Sequence, residues 1–182
     1  MKVYKGFNRD LTCTLGKGRY QYQEGVWIHE NMAECGRTGL HCAENPLDCL
    51  KYYPNWDTSV YYEVEAEEDV DEWQGGSELA ATRIRLVKRL DLMGFVEAAV
   101  EWIAGHPTRC ADLRTYGTIR VYQEQGEACK NGAVIVYGKE PRAAGKQGSI
   151  LAMARTDGRT CTGFAIGQVD GEQIRPGVWY GI

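Results

Sequence analysis

Side chains whose type and spacing could carry chemistry are few in this chain. His41 and Cys42 place a base beside a thiol, and nucleophilic catalysis needs those two groups within hydrogen-bond reach of each other. Leu40 to Ala43 reads as a short strand, in which neighbouring residues point to opposite faces, so the pair predicts no catalysis. Glu63 and Glu65 share one face of an alternating stretch. Two carboxylates act as an acid–base couple only where their surroundings split their pKa values, and the flanking residues suggest a solvated or salt-bridged face instead. Cys35, Cys42 and Cys49 recur every seven residues with His29 and His41 nearby. Structural zinc sites usually show C-x-x-C or H-x-x-x-H pairs, and the sequence has neither, so no metal is expected. The glycine-rich phosphate loops, the nucleophile elbow and the H-E-x-x-H signature are absent as well. The residues alone therefore predict a protein that acts by binding, without a cofactor.

The elements that must position these groups follow from periodicity. Val3 to Phe7 reads as a first strand, Asp10 to Glu24 as an extended loop or irregular hairpin, and Val26 to Ile28 as a second strand. Asn45-Pro46-Leu47-Asp48 is a helix start, with a capping side chain, proline at the first helical position and an acid in the first turn. That helix should reach about Tyr53 and stop before Pro54. From Ser59 to Glu67, Val60, Tyr62, Val64 and Ala66 fall on one face, while Tyr61, Glu63, Glu65 and Glu67 fall on the other. Asp69 to Ser77 reads as a polar connection. In the strand that follows, Ile84 and Leu86 point inward and Arg83 and Arg85 outward, where they could meet Glu63 and Glu65 across a ladder. Phe95, Val96, Ala99, Val100 and Ile103 mark the buried face of a helix over 92–104. Beyond it, apolar runs separated by Asp157-Gly158 and Asp170-Gly171 predict hairpins. The fold class expected is α+β, with an N-terminal mixed sheet and two short helices (residues 1–105) followed by a glycine-rich β-meander (106–182).

The 182 residues hold 43% hydrophobic and 25% charged side chains, enough apolar area for a folded chain. Residues 1–79 carry 15 acids and 7 bases, whereas 80–182 carry 10 acids and 14 bases. No stretch is long and apolar enough to span a membrane, and Met1 to Lys5 lacks the apolar core of a secretory signal. Seven cysteines without such a signal predict reduced thiols in a cytoplasm.

Two resemblances add to this reading. The order Tyr4-Lys5-Gly6, then Gly39-Leu40-His41-Cys42-Ala43-Glu44-Asn45-Pro46, then Tyr52-Tyr53 and an acidic strand resembles the nicotinamide-binding half of ADP-ribosyltransferases over residues 1–70. It implies an early strand bearing His or Arg, here Lys5, and a glutamate on a later strand, for which Glu63, Glu65 and Glu72 are candidates. Tyr4-Lys5-Gly6-Phe7 with Cys13, Gly39 to Cys42 with Asn45-Pro46-Leu47 and Tyr52-Tyr53-Pro54, and the stretch from Val169-Asp170-Gly171-Glu172 to Trp179-Tyr180 look like an uncharacterised family of phages and prophages. That likeness implies an accessory protein in a bacterial cytoplasm. The function expected is stoichiometric inhibition of a bacterial antiviral system, as an anti-CRISPR protein bound to a CRISPR effector nuclease with its guide RNA. An ADP-ribosyltransferase-like enzyme, or a structural or DNA-associated phage protein, is the alternative. An acidic strip of Glu63, Glu65 and Glu67 would compete for the effector's cationic channel, Arg83, Arg85, Lys88 and Arg89 would contact nucleic acid weakly, and Trp56 and Trp73 would anchor the interface.

Overall fold

The computed structural model describes residues 1–15, 18–110 and 115–182. They form two units, Met1–Asp91 and Leu92–Ile182. Among the described residues 51% lie in strands and 13% in helical segments. The fold is therefore mostly β, and the α+β expectation is corrected.

The first unit contains β1 (Lys2–Asn8), β2 (Thr12–Cys13), β3 (Tyr20–Gln21), β4 (Trp27–His29), β5 (Leu40–Ala43), β6 (Ser59–Glu72) and β7 (Glu78–Leu90). Its five-stranded sheet is built on antiparallel pairings rather than mixed ones. β1 pairs with β5 and β6, β7 pairs with β5, and the β6–β7 hairpin completes a ring, with β4 added on the outside of β7. Its interior holds Val3, Phe7, Leu40, Val60, Tyr62, Val64, Leu79, Ile84 and Leu86, of which Val60, Tyr62, Val64, Ile84 and Leu86 are the ones that alternation places inward. Tyr61 departs from that pattern. It is buried on the opposite face, where its hydroxyl donates to the Tyr53 carbonyl. β6 also runs to Glu72 across a bulge between Glu67 and Val70, so the hairpin turn is only Trp73–Ser77.

The helix expected after Asn45 is a 3-10 helix, Pro46–Lys51. Its start matches the capping signal, since Asn45 Oδ1 accepts the Leu47 N–H at 3.1 Å. Only eight residues separate Asn45 from Pro54. Nucleating an α-helix fixes several residues for one hydrogen bond, and so short a segment takes the tighter 3-10 form.

The second unit contains α1 (Leu92–Gly105), the only α-helix among the described residues. It is followed by a 3-10 turn (Pro107–Arg109) and by β8 (Ile119–Ala128), β9 (Ala133–Gly145), β10 (Ile150–Thr156), β11 (Cys161–Gln168) and β12 (Tyr180–Gly181). It is not a meander. β8, β9 and β10 run parallel, with Ile119, Ala133 and Ile150 in register. The chain turns a corner in β8 and again in β9, so each return brings the next strand to the same starting level. At the first corner Glu124 has φ +64°, and its carboxylate accepts the N–H groups of Lys139 (3.0 Å) and Glu140 (3.2 Å) from the second. Strands buried on both faces read as continuous apolar runs. Accordingly, Val134, Val136, Leu151 and Met153 fill one core with Ala143 and Val169, while α1 packs on β9, β10 and β11. Asp157-Gly158 makes the β10–β11 hairpin. Asp170 instead folds a loop by accepting the N–H groups of Glu172, Gln173 and Ile174, and β12 pairs with β9. Among the described residues no helix is long and apolar enough to cross a membrane.

Candidate ligand-binding cleft

A cleft of about 610 Å³ opens in the first unit beside β1, β5 and the 3-10 helix, a volume suited to a small-molecule ligand. Leu47, Cys49 and Leu50 are buried and hold the 3-10 helix in place. Asp48, Tyr52 and Tyr53 then line the cleft from that side. Gly6 makes this packing possible, because a Cβ there would stand 2.9 Å from Tyr53 Cδ2. The Tyr53 hydroxyl is buried with no hydrogen-bond partner of ordinary geometry among the described residues, and the Cys13 thiol is a polar neighbour of it.

The loop before β5 closes another wall. Gly39 has φ +96°, and an added Cβ would lie 3.0 Å from the Ala33 Cα, so glycine is required. His41 Nε2 accepts the Gly36 N–H at 3.0 Å. Burial, and after it the Lys5 charge, hold the His41 imidazole below its ordinary pKa of 6.5. The ring is thus neutral at pH 7 with its lone-pair nitrogen already engaged. It braces the loop and is not poised as a base. Lys5, also buried, donates to the His41 carbonyl and lies 5.6 and 5.4 Å from the Phe7 and Tyr22 ring centres. Burial pushes the Cys42 thiol up to about 11, which leaves it an unreactive thiol.

Glu78, the first residue of β7, supplies the cleft's fixed charge. Its Oε1 accepts Lys51 Nζ at 2.6 Å, while Oε2 is buried and has no hydrogen-bond partner among the described residues. Burial opposes the charge, but Lys51 and backbone N–H groups outweigh it, and the carboxyl pKa falls below its ordinary 4.5. Trp73 and Tyr52, each 56% exposed, stand at the opening. Two open aromatic rings and an ionised carboxylate suit a planar ring joined to a hydroxylated or positively charged group.

Residues 1–98 match the family described as Domain of unknown function (DUF7666). The chain belongs to this family. The match spans more than half of the chain and every residue lining the cleft. No curated protein and no solved structure matches the chain.

Within the DUF7666 domain the structure disperses most of the residues singled out from sequence. Glu65 is paired with Arg85 at 2.5 Å, Glu67 with Arg83 at 3.3 Å and Glu63 with Lys2 at 3.3 Å. Arg83 and Arg85 also flank the Trp27 ring at 4.2 and 4.8 Å. The cross-strand pairing expected for Glu65 is present, whereas Arg83 takes Glu67 and Glu63 is held by Lys2 instead of by an arginine of β7; together these pairs turn the acidic strip into a ladder of intramolecular ion pairs. Lys88 and Arg89 are exposed near the end of β7, and Trp56 stacks on Tyr61 at 4.7 Å. Of the nine residues, only Trp73 lines the cleft. Among the described residues no three His, Cys, Asp or Glu side chains are grouped to hold a metal ion. Glu78, Lys51 and Asp48 escaped the sequence reading. Glu78 follows Gly75-Gly76-Ser77 at a strand's first position, and nothing in the periodicity sets it apart from Glu72.

Proposed function

We propose that the DUF7666 domain of this chain binds NAD+ in the cleft and transfers its ADP-ribosyl group, in the manner of an ADP-ribosyltransferase. Glu78 carries the proposal: an ionised carboxylate with one oxygen unpartnered, in a cleft opened by Trp73 and Tyr52. The order of Tyr4-Lys5-Gly6 on β1, Gly39 to Pro46 through β5, and Tyr52-Tyr53 after the 3-10 helix supports it. Each of these segments contributes to the same cleft. Breaking the bond between ribose and nicotinamide leaves positive charge on the sugar while the pyridinium departs as neutral nicotinamide, and the same sugar carbon then bonds a nucleophilic side chain of an acceptor protein, which loses its proton, or water where no acceptor is present. A fixed carboxylate beside that sugar stabilises the charge as it develops. In this reading Glu78 takes the glutamate role for which Glu63, Glu65 and Glu72 were the candidates, and Tyr52 and Trp73 receive the nicotinamide ring. Lys5 stands at the His or Arg position, with its ammonium directed to the His41 carbonyl.

For stoichiometric inhibition of an effector nuclease, the acidic strip of Glu63, Glu65 and Glu67 is already paired with Lys2, Arg85 and Arg83, which leaves the exposed Lys88 and Arg89 as its support. The cleft therefore carries the stronger reading. The test is to incubate the full chain with NAD+, follow free nicotinamide by proton NMR and follow tryptophan fluorescence during titration. The expected result is quenching through Trp73 and slow nicotinamide release. Glu78→Gln should keep the quenching and lose release by on the order of 100-fold. Neither quenching nor release, or equal release by the variant, would overturn the proposal.

A further inference from the structure

We infer that Lys51 is the positioning residue of the cleft: by gripping one Glu78 oxygen it fixes the orientation of that carboxylate. Its catalytic consequence rests on the NAD+ reading, whereas the geometry does not. Lys51 Nζ lies 2.6 Å from Glu78 Oε1 and 2.9 Å from Asp48 Oδ1. It thus joins a carboxylate of the 3-10 helix to one of β7, two like charges that would otherwise face each other. The remaining Asp48 oxygen accepts the Ser77 hydroxyl at 2.5 Å, and Ser77 Oγ accepts the Asn45 N–H at 3.0 Å. A continuous chain of polar contacts therefore runs from the helix cap to Glu78.

Both Asp48 oxygens are engaged in this chain, whereas Glu78 gives one oxygen to Lys51 and keeps the other buried without a hydrogen-bond partner among the described residues. The charged and titratable groups acting with Glu78 are Lys51 and Tyr52 from the helix side and Cys35 from the loop before β5, and Asp48 shares the Lys51 ammonium with it. Lys51 is the one cation within 4.0 Å of it among the described residues. Lys51, together with backbone N–H groups, offsets the burial of this carboxylate, and its grip on Oε1 holds the group in one orientation. Positioning errors of about 1 Å at a reacting group cost on the order of 100-fold in rate.

The test uses the full chain with 13C-labelled glutamate carboxyls, in the native sequence and in Lys51→Met and Lys51→Arg, with Glu78→Gln assigning the signal. The Glu78 carbon should titrate below 4.5 in the native chain and move upward in Lys51→Met, with Lys51→Arg restoring most of the shift. Where NAD+ is turned over, Lys51→Met should lower kcat by on the order of 100-fold with little change in KM, and move the acid limb of the pH profile upward. Lys51→Gln repeats the comparison if the methionine variant does not fold. An unmoved Glu78 titration, or a rate loss equal at every pH and not rescued by arginine, overturns the inference. Absence of turnover in the native chain overturns the NAD+ reading alone, and the carboxyl titration still decides the role of Lys51.

Discussion

Tyr53→Phe should stabilise the free protein, although tyrosine is large and its ring is well packed. The ring is 9% exposed and lies against Gly6, and phenylalanine keeps that contact. What is removed is a hydroxyl buried without a proper partner, a condition that costs about 1–3 kcal/mol. The neighbouring Cys13 thiol is a weak partner and offsets part of this, so the gain expected is about 1 kcal/mol. For a unit the size of Met1–Asp91, that corresponds to roughly 4–8 °C in Tm. Urea unfolding of the full chain followed by tyrosine and tryptophan fluorescence measures it, with a raised midpoint at unchanged slope as the expected result. A midpoint lowered by the equivalent of 1 kcal/mol or more would show that the hydroxyl is bonded in the folded protein, and the reasoning would fail.

Two further predictions follow from the same unit. Glu65 and Arg85 face each other across β6 and β7 with 42% and 38% of their side chains exposed, so a double-mutant cycle to alanine should return a coupling of only about 0.2–1 kcal/mol that shrinks in salt; a coupling of several kcal/mol would refute the solvent-screened account. His41 is depressed below 6.5 in the folded state, so the unfolded chain binds the proton first. The stability this contributes is complete above about pH 6.5 and is lost as pH falls through the lowered value. Urea midpoints between pH 8 and 5 should show that decline in the native chain and a flatter profile in His41→Gln, and identical profiles would rule His41 out as the source.

Much of the first unit was legible because its strands are half-buried. Alternation over Val60 to Ala66 and at Ile84 and Leu86 reports directly which side chains meet the core, and the Asn45-Pro46 start reports local capping geometry. The charge ladder was legible for the same reason, since Arg83 and Arg85 can only face one side. The second unit resisted because its central strands are covered on both faces. Ala133 to Val136 and Ile150 to Ala154 carry no period to indicate direction, and the Asp-Gly turns suggested hairpins throughout. Whether two such strands run parallel or antiparallel depends on where the chain bends between them, and Glu124 does that work through amides 15 and 16 positions later.

The amino-acid order by itself determined which residues are inward, where the short helix begins, that Arg83 and Arg85 share a face, and that the acidic face would be opposed by them. These are consequences of local geometry, decided within a few residues. Tertiary structure alone decided the site. Glu78 became its charge because ring closure brings the start of β7 beside Lys51 and Asp48, about thirty positions earlier in the chain, and the field at a carboxylate is set by what lies within a few ångströms in space, whatever its distance along the backbone.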